Sequence, residues 1–153
     1  VSFDTDLIGP YGYCADISRS WRCGEGKPDD EQRRLYAAAY AQIQHNMALL
    51  KPGMGFREIT EKAWPIPDEF MSNRYTCLMH GVGLADEYPS LKHRQDYAKK
   101  GYDGVFEEGM TICVESMNAV EGGREGVKLE EQVLITKDGP KTLSSYRFEE
   151  DWL

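Results

Sequence analysis

Basic side chains are scarce in this chain: 18 Lys and Arg stand against 26 Asp and Glu in 153 residues, a net charge of −8 at pH 7. Clustered cations are what grip a phosphate backbone, so this balance argues against a nucleic-acid surface. It also disfavours anionic partners unless a metal ion brings the positive charge. Long apolar runs are missing too, with nothing approaching the ~20 residues needed to span a bilayer. The first residues lack the basic, apolar and small-residue order of a secretion signal. Together these absences predict a cytoplasmic protein. Cys14, Cys23, Cys77 and Cys113 form no CxxC pair, which predicts reduced thiols rather than a disulfide framework. No internal repeat or low-complexity tract is present. At 41% hydrophobic and 29% charged, the chain has the composition of one globular domain with a real core.

Punctuation residues divide the chain. Val1–Ile8 and Tyr11–Trp21 are rich in Phe, Ile, Tyr and Trp and are separated by Gly9-Pro10, the pattern of a hairpin. A CGEGKPDD loop then supplies helix-start chemistry at Pro28, Asp29 and Asp30. From there Tyr36, Tyr40, Ile43, Met47 and Leu50 recur at helical spacing, with Arg33, Arg34, Gln42 and Gln44 on other faces, so a long helix is expected over Asp30–Leu50. Lys51-Pro52-Gly53 stops it, and a shorter helix is expected over Phe56–Trp64, closed by Pro65 and Pro67. Short strands follow at Tyr75–Met79, Met110–Met117 and Lys128–Thr136, while the charged Ser90–Glu108 stretch is expected as a surface excursion. Hairpin, helices, then antiparallel strands predict an α+β fold with helices on one sheet face.

The chemistry-bearing residues are acidic. Asp4 and Asp6, two apart in a strand, would share a face, and the Gly9-Pro10 and Tyr11-Gly12 turn signals would fold Asp16 back beside them. Carboxylates crowded in this way need a cation, or some of them stay protonated. Glu115 interrupts the apolar strand Thr111-Ile112-Cys113-Val114, where a buried carboxylate needs a partner. Glu130 alternates with Lys128 and Gln132 and, taken alone, is an ordinary solvated strand residue; Glu131 falls on the opposite face with Leu129 and Val133. A lone histidine such as His80 is more often a hydrogen-bonded core or surface residue than a ligand, and His45 and His93 are given that reading. The combination and order of the acids and His80 shift the balance toward a metal site.

In that order the chain resembles the pita-bread metalloenzymes, which include methionine aminopeptidase, prolidase, aminopeptidase P and creatinase. The resemblance implies a pita-bread α+β fold around two divalent metals. It matches Asp16 in GYCADISRSW to the second Asp ligand, His80 in HGVG to the histidine, Glu115 in EEGMTICVES to the first Glu and Glu130 in KLEEQVLIT to the second. Either Asp4 or Asp6 fills the first Asp position, because the DTD triplet does not reproduce the usual single Asp followed by Gly. Where the peptidases carry a His-Glu-Pro-like segment after the HG motif, this chain has LADEYPS and Asp86. That variant is similar to the dimethylsulfoniopropionate lyases, in which the extra Asp of DTD joins the metal shell and the Asp of DEYP removes a proton. Because the likeness begins almost at the first metal-bearing strand, residues 1–153 are expected to be one catalytic-domain portion, without the upstream half of the pita-bread domain or a separate N-terminal domain.

Five carboxylates (Asp4, Asp6, Asp16, Glu115 and Glu130) and His80 make an oxygen-rich shell suited to two transition-metal ions, iron first, with manganese, cobalt and zinc as alternatives. The expected reaction is β-elimination from a small-molecule substrate, with Asp86 as base and dimethyl sulfide and acrylate as products. Tyr75, Trp64 and Tyr88 are the aromatic candidates for holding a sulfonium cation, against core packing as the alternative. A dinuclear Xaa-Pro peptidase and a catalytically silent pita-bread domain are the competing readings. An open sheet edge predicts a homodimer through Val1–Ile8 or the long helix.

Overall fold

The hairpin expected over Val1–Trp21 forms in two short pieces in the computed structural model, which describes residues 1–153. β1 (Ser2–Asp4) pairs with β4 (Ser18–Ser20), and β2 (Leu7–Ile8) pairs with β3 (Cys14–Ala15), both antiparallel. The break falls at Asp6, whose φ of 37° is in the left-handed region. A continuous strand carrying Asp4 and Asp6 on one face is therefore corrected: the chain twists between them. A 3-10 turn over Pro10–Gly12 closes the tip.

The long helix, α1 (Asp30–Ala48), starts in a reciprocal cap, with Gln32 N donating to Asp29 Oδ1 at 2.8 Å and Asp29 N donating to Gln32 Oε1 at 3.1 Å. Asp30 and Glu31 in its first turn complement the helix dipole. Its buried stripe of Leu35, Tyr36, Ala39, Ile43 and Met47 packs on the sheet. Gln42, expected on a polar face, is buried because Ser116 Oγ donates to its Oε1 at 2.8 Å from the sheet below. A second helix, α2 (Phe56–Lys62), adds Phe56 and Ile59 to the same core.

The sheet has five antiparallel strands in the order β6-β5-β7-β8-β9, where β5 is Cys77–Gly81, β6 Ser90–Lys92, β7 Thr111–Ala119, β8 Gly126–Thr136 and β9 Gly139–Thr142. Pairing puts Glu115 opposite Glu130 and His80 opposite Cys113. Alternation does the rest: Ile112, Val114, Leu129 and Val133 enter the core under α1, so Cys113, Glu115, Lys128, Glu130 and Gln132 line the other face. Ser90–Glu108 is not an excursion; it supplies β6 and α3 (Arg94–Lys100) and buries Leu91, His93 and Phe106. All four cysteines are free thiols. No helix is long and apolar enough to cross a membrane.

Between Lys128 and Glu130, ahead of the ladder with β9, the outer edge of β8 is covered by β4 side chains. Arg19, 2% exposed, donates to the carbonyls of Ser18, Glu130, Tyr146 and Arg147 and to Glu131 Oε2 at 2.6 Å, with its guanidinium 4.0 Å from the Phe148 ring centroid. Glu131 is thus buried as half of an ion pair, and the segment carrying Tyr146–Phe148 is tied to the strand that presents Glu130.

Candidate metal centre

Asp16, His80, Glu115 and Glu130 converge between the hairpin and the open face of the sheet, each no more than 2% exposed. His80 organises them. Its Nδ1–H donates to the Gly81 carbonyl at 3.1 Å. Nε2 then faces Glu130 Oε1 at 3.1 Å, Glu115 Oε1 at 3.4 Å and Asp16 Oδ2 at 3.8 Å. The residue after His80 must be glycine, because a Cβ there would collide with the Tyr88 carbonyl as the loop from Val82 to Pro89 returns to β6.

The cluster carries more negative charge than its own hydrogen bonds can settle. Burial first, and Glu130 second, push the Asp16 carboxyl up to about 8. The same two causes raise Glu115 to about 7, and burial lifts Glu130 despite the hydrogen bond from His80. Burial opposes charge on His80, yet Glu130 and Glu115 carry it up to about 9. Ser18 Oγ sits 2.6 Å from Asp4 Oδ1 and 2.8 Å from Glu130 Oε2, with one proton for two carboxylates. Asp4 is partly exposed and bonded to Lys128 Nζ; burial raises its carboxyl, but Lys128 and Ser18 outweigh that and hold it below the usual range. Lys128 Nζ also stands 3.3 Å from Glu115 Oε2 and 3.7 Å from Glu130 Oε2.

Whether a metal fits is decided by the donor set. Glu115 Oε1 is buried without any hydrogen-bond partner, a costly state for a carboxylate oxygen. Asp4, Asp16 and Glu130 bring one oxygen each within 4.8 Å of one another, and Asp16, His80 and Asp86 form a second such group. One imidazole and several carboxylates suit divalent first-row metals. The residues fit the group.

The other expected residues are distributed less evenly. Asp6 lies at the twist of the hairpin; its backbone N donates to Asp16 Oδ1 at 3.3 Å, and its carboxylate joins none of the ligand-spaced groups. Asp86 is at the mouth, 23% exposed, with Oδ1 3.6 Å from His80 Nδ1. Tyr75 is half-buried beside the cluster, its ring centroid 5.0 Å from Lys128 Nζ, and burial and Glu115 push its hydroxyl up to about 12. Tyr88 is exposed and stacks on Tyr102 at 6.2 Å. Trp64 packs edge-on against His45 at 5.5 Å, and its backbone N is held by Asn46 Oδ1, an α1 contact that accounts for it as packing rather than as part of the cluster. Sequence reasoning missed Lys128 and Ser18. Lys128 was visible in principle, since period-two alternation puts it on the face of Glu130.

The sequence profile described as metallopeptidase family M24 matches residues 1–137. Among curated proteins, the chain is 44% identical over 149 residues to dimethylsulfoniopropionate lyase DddP of Roseovarius nubinhibens, covering 97% of this chain and 33% of that protein. It is 33% identical over 136 residues to the Xaa-Pro dipeptidase of Lactobacillus helveticus, covering 87% of this chain and 34% of that one. Among solved structures, the prolidase of Pyrococcus horikoshii OT3 superposes with a TM-score of 0.75 at 27% identity, over 97% of this chain and 40% of the prolidase. The chain therefore spans about a third of the length of these curated relatives.

Proposed function

The chain belongs to metallopeptidase family M24, with the pita-bread fold of its prolidase relatives, and on that premise we propose that it carries the metal centre of a carbon–sulfur lyase. The reaction is β-elimination of dimethylsulfoniopropionate to dimethyl sulfide and acrylate. Asp4, Asp16, His80, Glu115 and Glu130 would hold two transition-metal ions, iron being our first choice, while the Asp6 carboxylate stands apart from them. When bound, the ions supply Lewis acidity toward the substrate carboxylate.

The observation that carries this reading is Asp86, a carboxylate 3.6 Å from His80 Nδ1 at the mouth of the cluster. A carboxylate takes up a proton well and donates poorly to a developing oxyanion. It therefore suits proton abstraction better than peptide cleavage. Asp86 removes the proton from the carbon next to the substrate carboxylate, that C–H pair becomes the new double bond, and the β-carbon–sulfur bond breaks with its electrons on sulfur. Neutral dimethyl sulfide leaves, acrylate remains, and the proton on Asp86 passes to solvent. Tyr75 offers an aromatic face to the sulfonium. The 44% identity to a lyase of this reaction supports the same reading.

The peptidase alternative draws support from the Xaa-Pro dipeptidase likeness, and a silent domain is the third possibility. Metal-loaded protein incubated with dimethylsulfoniopropionate and, separately, with Xaa-Pro dipeptides distinguishes them: dimethyl sulfide release without dipeptide cleavage is expected. Dipeptide cleavage alone would establish the hydrolase, and inactivity toward both with metal bound would establish the silent domain.

A second copy of the chain is the partner proposed for the hairpin. Val1, Phe3, Leu7, Ile8, Tyr11 and Tyr13 are each more than half exposed there, an apolar row that an isologous contact would cover. The apolar stripe of α1 is already covered by the sheet, so the helix drops out as an interface. Sedimentation at high micromolar concentration should give a dimer that Ile8→Lys dissociates; a wild-type monomer would refute it.

A further inference from the structure

β3 ends at Ala15 and β4 begins at Ser18, so the peptide groups of Asp16 fall in a gap where the hairpin ladder offers them no partner. Buried N–H and C=O groups need partners, and two side chains of the large sheet provide them. Asp16 N donates to Gln132 Oε1 at 3.1 Å, and Cys113 Sγ donates to Asp16 O at 3.3 Å. Cys113 and Gln132 are direct cross-strand partners on β7 and β8, one alternation along from the Glu115–Glu130 pair on the same face. The sheet face that presents the two glutamates thus also grips the backbone of the aspartate opposite them.

We propose that Cys113 and Gln132 are positioning residues, a cross-strand clamp that fixes the Asp16 backbone from both sides and aims its carboxylate at His80 and Glu130. The proposal rests on the metal-centre reading above. Cys113 Sγ also lies within 4.8 Å of the donor atoms of His80 and Glu130, so its chemistry has two exclusive forms. As a clamp it keeps its proton, which the bond to the Asp16 carbonyl uses. As a metal ligand it would be a thiolate and would lose that bond.

Calorimetric titration with manganese(II) tests the clamp on the full chain. Cys113→Ala and Gln132→Met should each weaken binding by ~10–100-fold, the usual effect of losing a group that orients a ligand. Cys113→Ser, which keeps a donor, should recover most of the loss. In an Asp16→Asn background Cys113→Ala should cost nothing further, a result that a general packing role would not give. Cobalt(II) added to the wild-type chain should produce no near-ultraviolet sulfur-to-metal charge-transfer absorption. Unchanged affinity in both single variants, a loss that persists in the Asp16→Asn background, or a sulfur–cobalt band would each overturn the clamp. If the wild-type chain takes up no manganese or cobalt, the metal reading fails and the clamp with it; if it does and the variants match it, only the clamp fails.

Discussion

Asp86→Asn is expected to reduce dimethyl sulfide release by ~10²–10⁴-fold, the range over which a positioned general base contributes, while metal content and melting temperature stay at wild-type values. The amide keeps the size of the side chain and its acceptor oxygen toward Glu87 N, so structure is conserved and only the proton acceptor is removed. Asp86 is partly exposed and reaches His80 through space rather than through a buried network, which is why the fold should tolerate the change. Dimethyl sulfide release retained within a few-fold would reassign Asp86 to loop structure. The companion variant Asp86→His places an imidazole where the peptidases carry one, and it should gain dipeptide cleavage if the residue at position 86, rather than the metal shell, separates the two activities.

The largest expected effect on stability comes from Arg19→Met. Removing one partner of a buried ion pair costs ~3–5 kcal/mol, because the other charge is left uncompensated; here that charge is Glu131, 2% exposed. Against a total stability of ~5–15 kcal/mol for a domain, urea denaturation should show the loss directly. Adding Glu131→Leu should recover only part of it. The pair would then be replaced by apolar groups, but the carbonyls of Glu130, Tyr146 and Arg147 would still lack the donors that Arg19 gives them. A loss under ~1 kcal/mol in Arg19→Met, a magnitude usual for an exposed pair, would contradict the role given to Arg19.

These two residues mark the boundary of what the sequence discloses. Asp86 and His80 stand six apart in one motif and were legible, as was Glu115, whose carboxylate breaks an apolar strand. The α1 stripe was legible because a nineteen-residue helix repeats its period several times. Arg19 and Glu131 were not, because their partnership spans 112 residues of chain and neither carries a local signal. Glu130 alternates with Lys128 and Gln132, a pattern identical to that of a solvated strand face; only the hairpin folding over it makes the face an interior. Ser90–Glu108 misled for a related reason: its charges are many, while Leu91 and Phe106, which anchor it, are single apolar residues without a period. The break at Asp6 depends on one left-handed backbone position that nothing in FDTDLIG requires.

The central claim is that these acids and His80 form one metal centre, and calorimetric titration with manganese(II) or iron(II) as a function of pH tests it most directly. A carboxylate site with ordinary pKa values is fully deprotonated above about pH 5 and gains little affinity beyond that. Here Glu115, Asp16 and His80 hold protons up to about 7, about 8 and about 9, and each must release its proton before it can ligate. Two divalent ions per chain, bound with an affinity that keeps rising from pH 6 to pH 9 and with proton release on binding, is the predicted result. No saturable binding, or an affinity already level above pH 5 with no protons released, would contradict it.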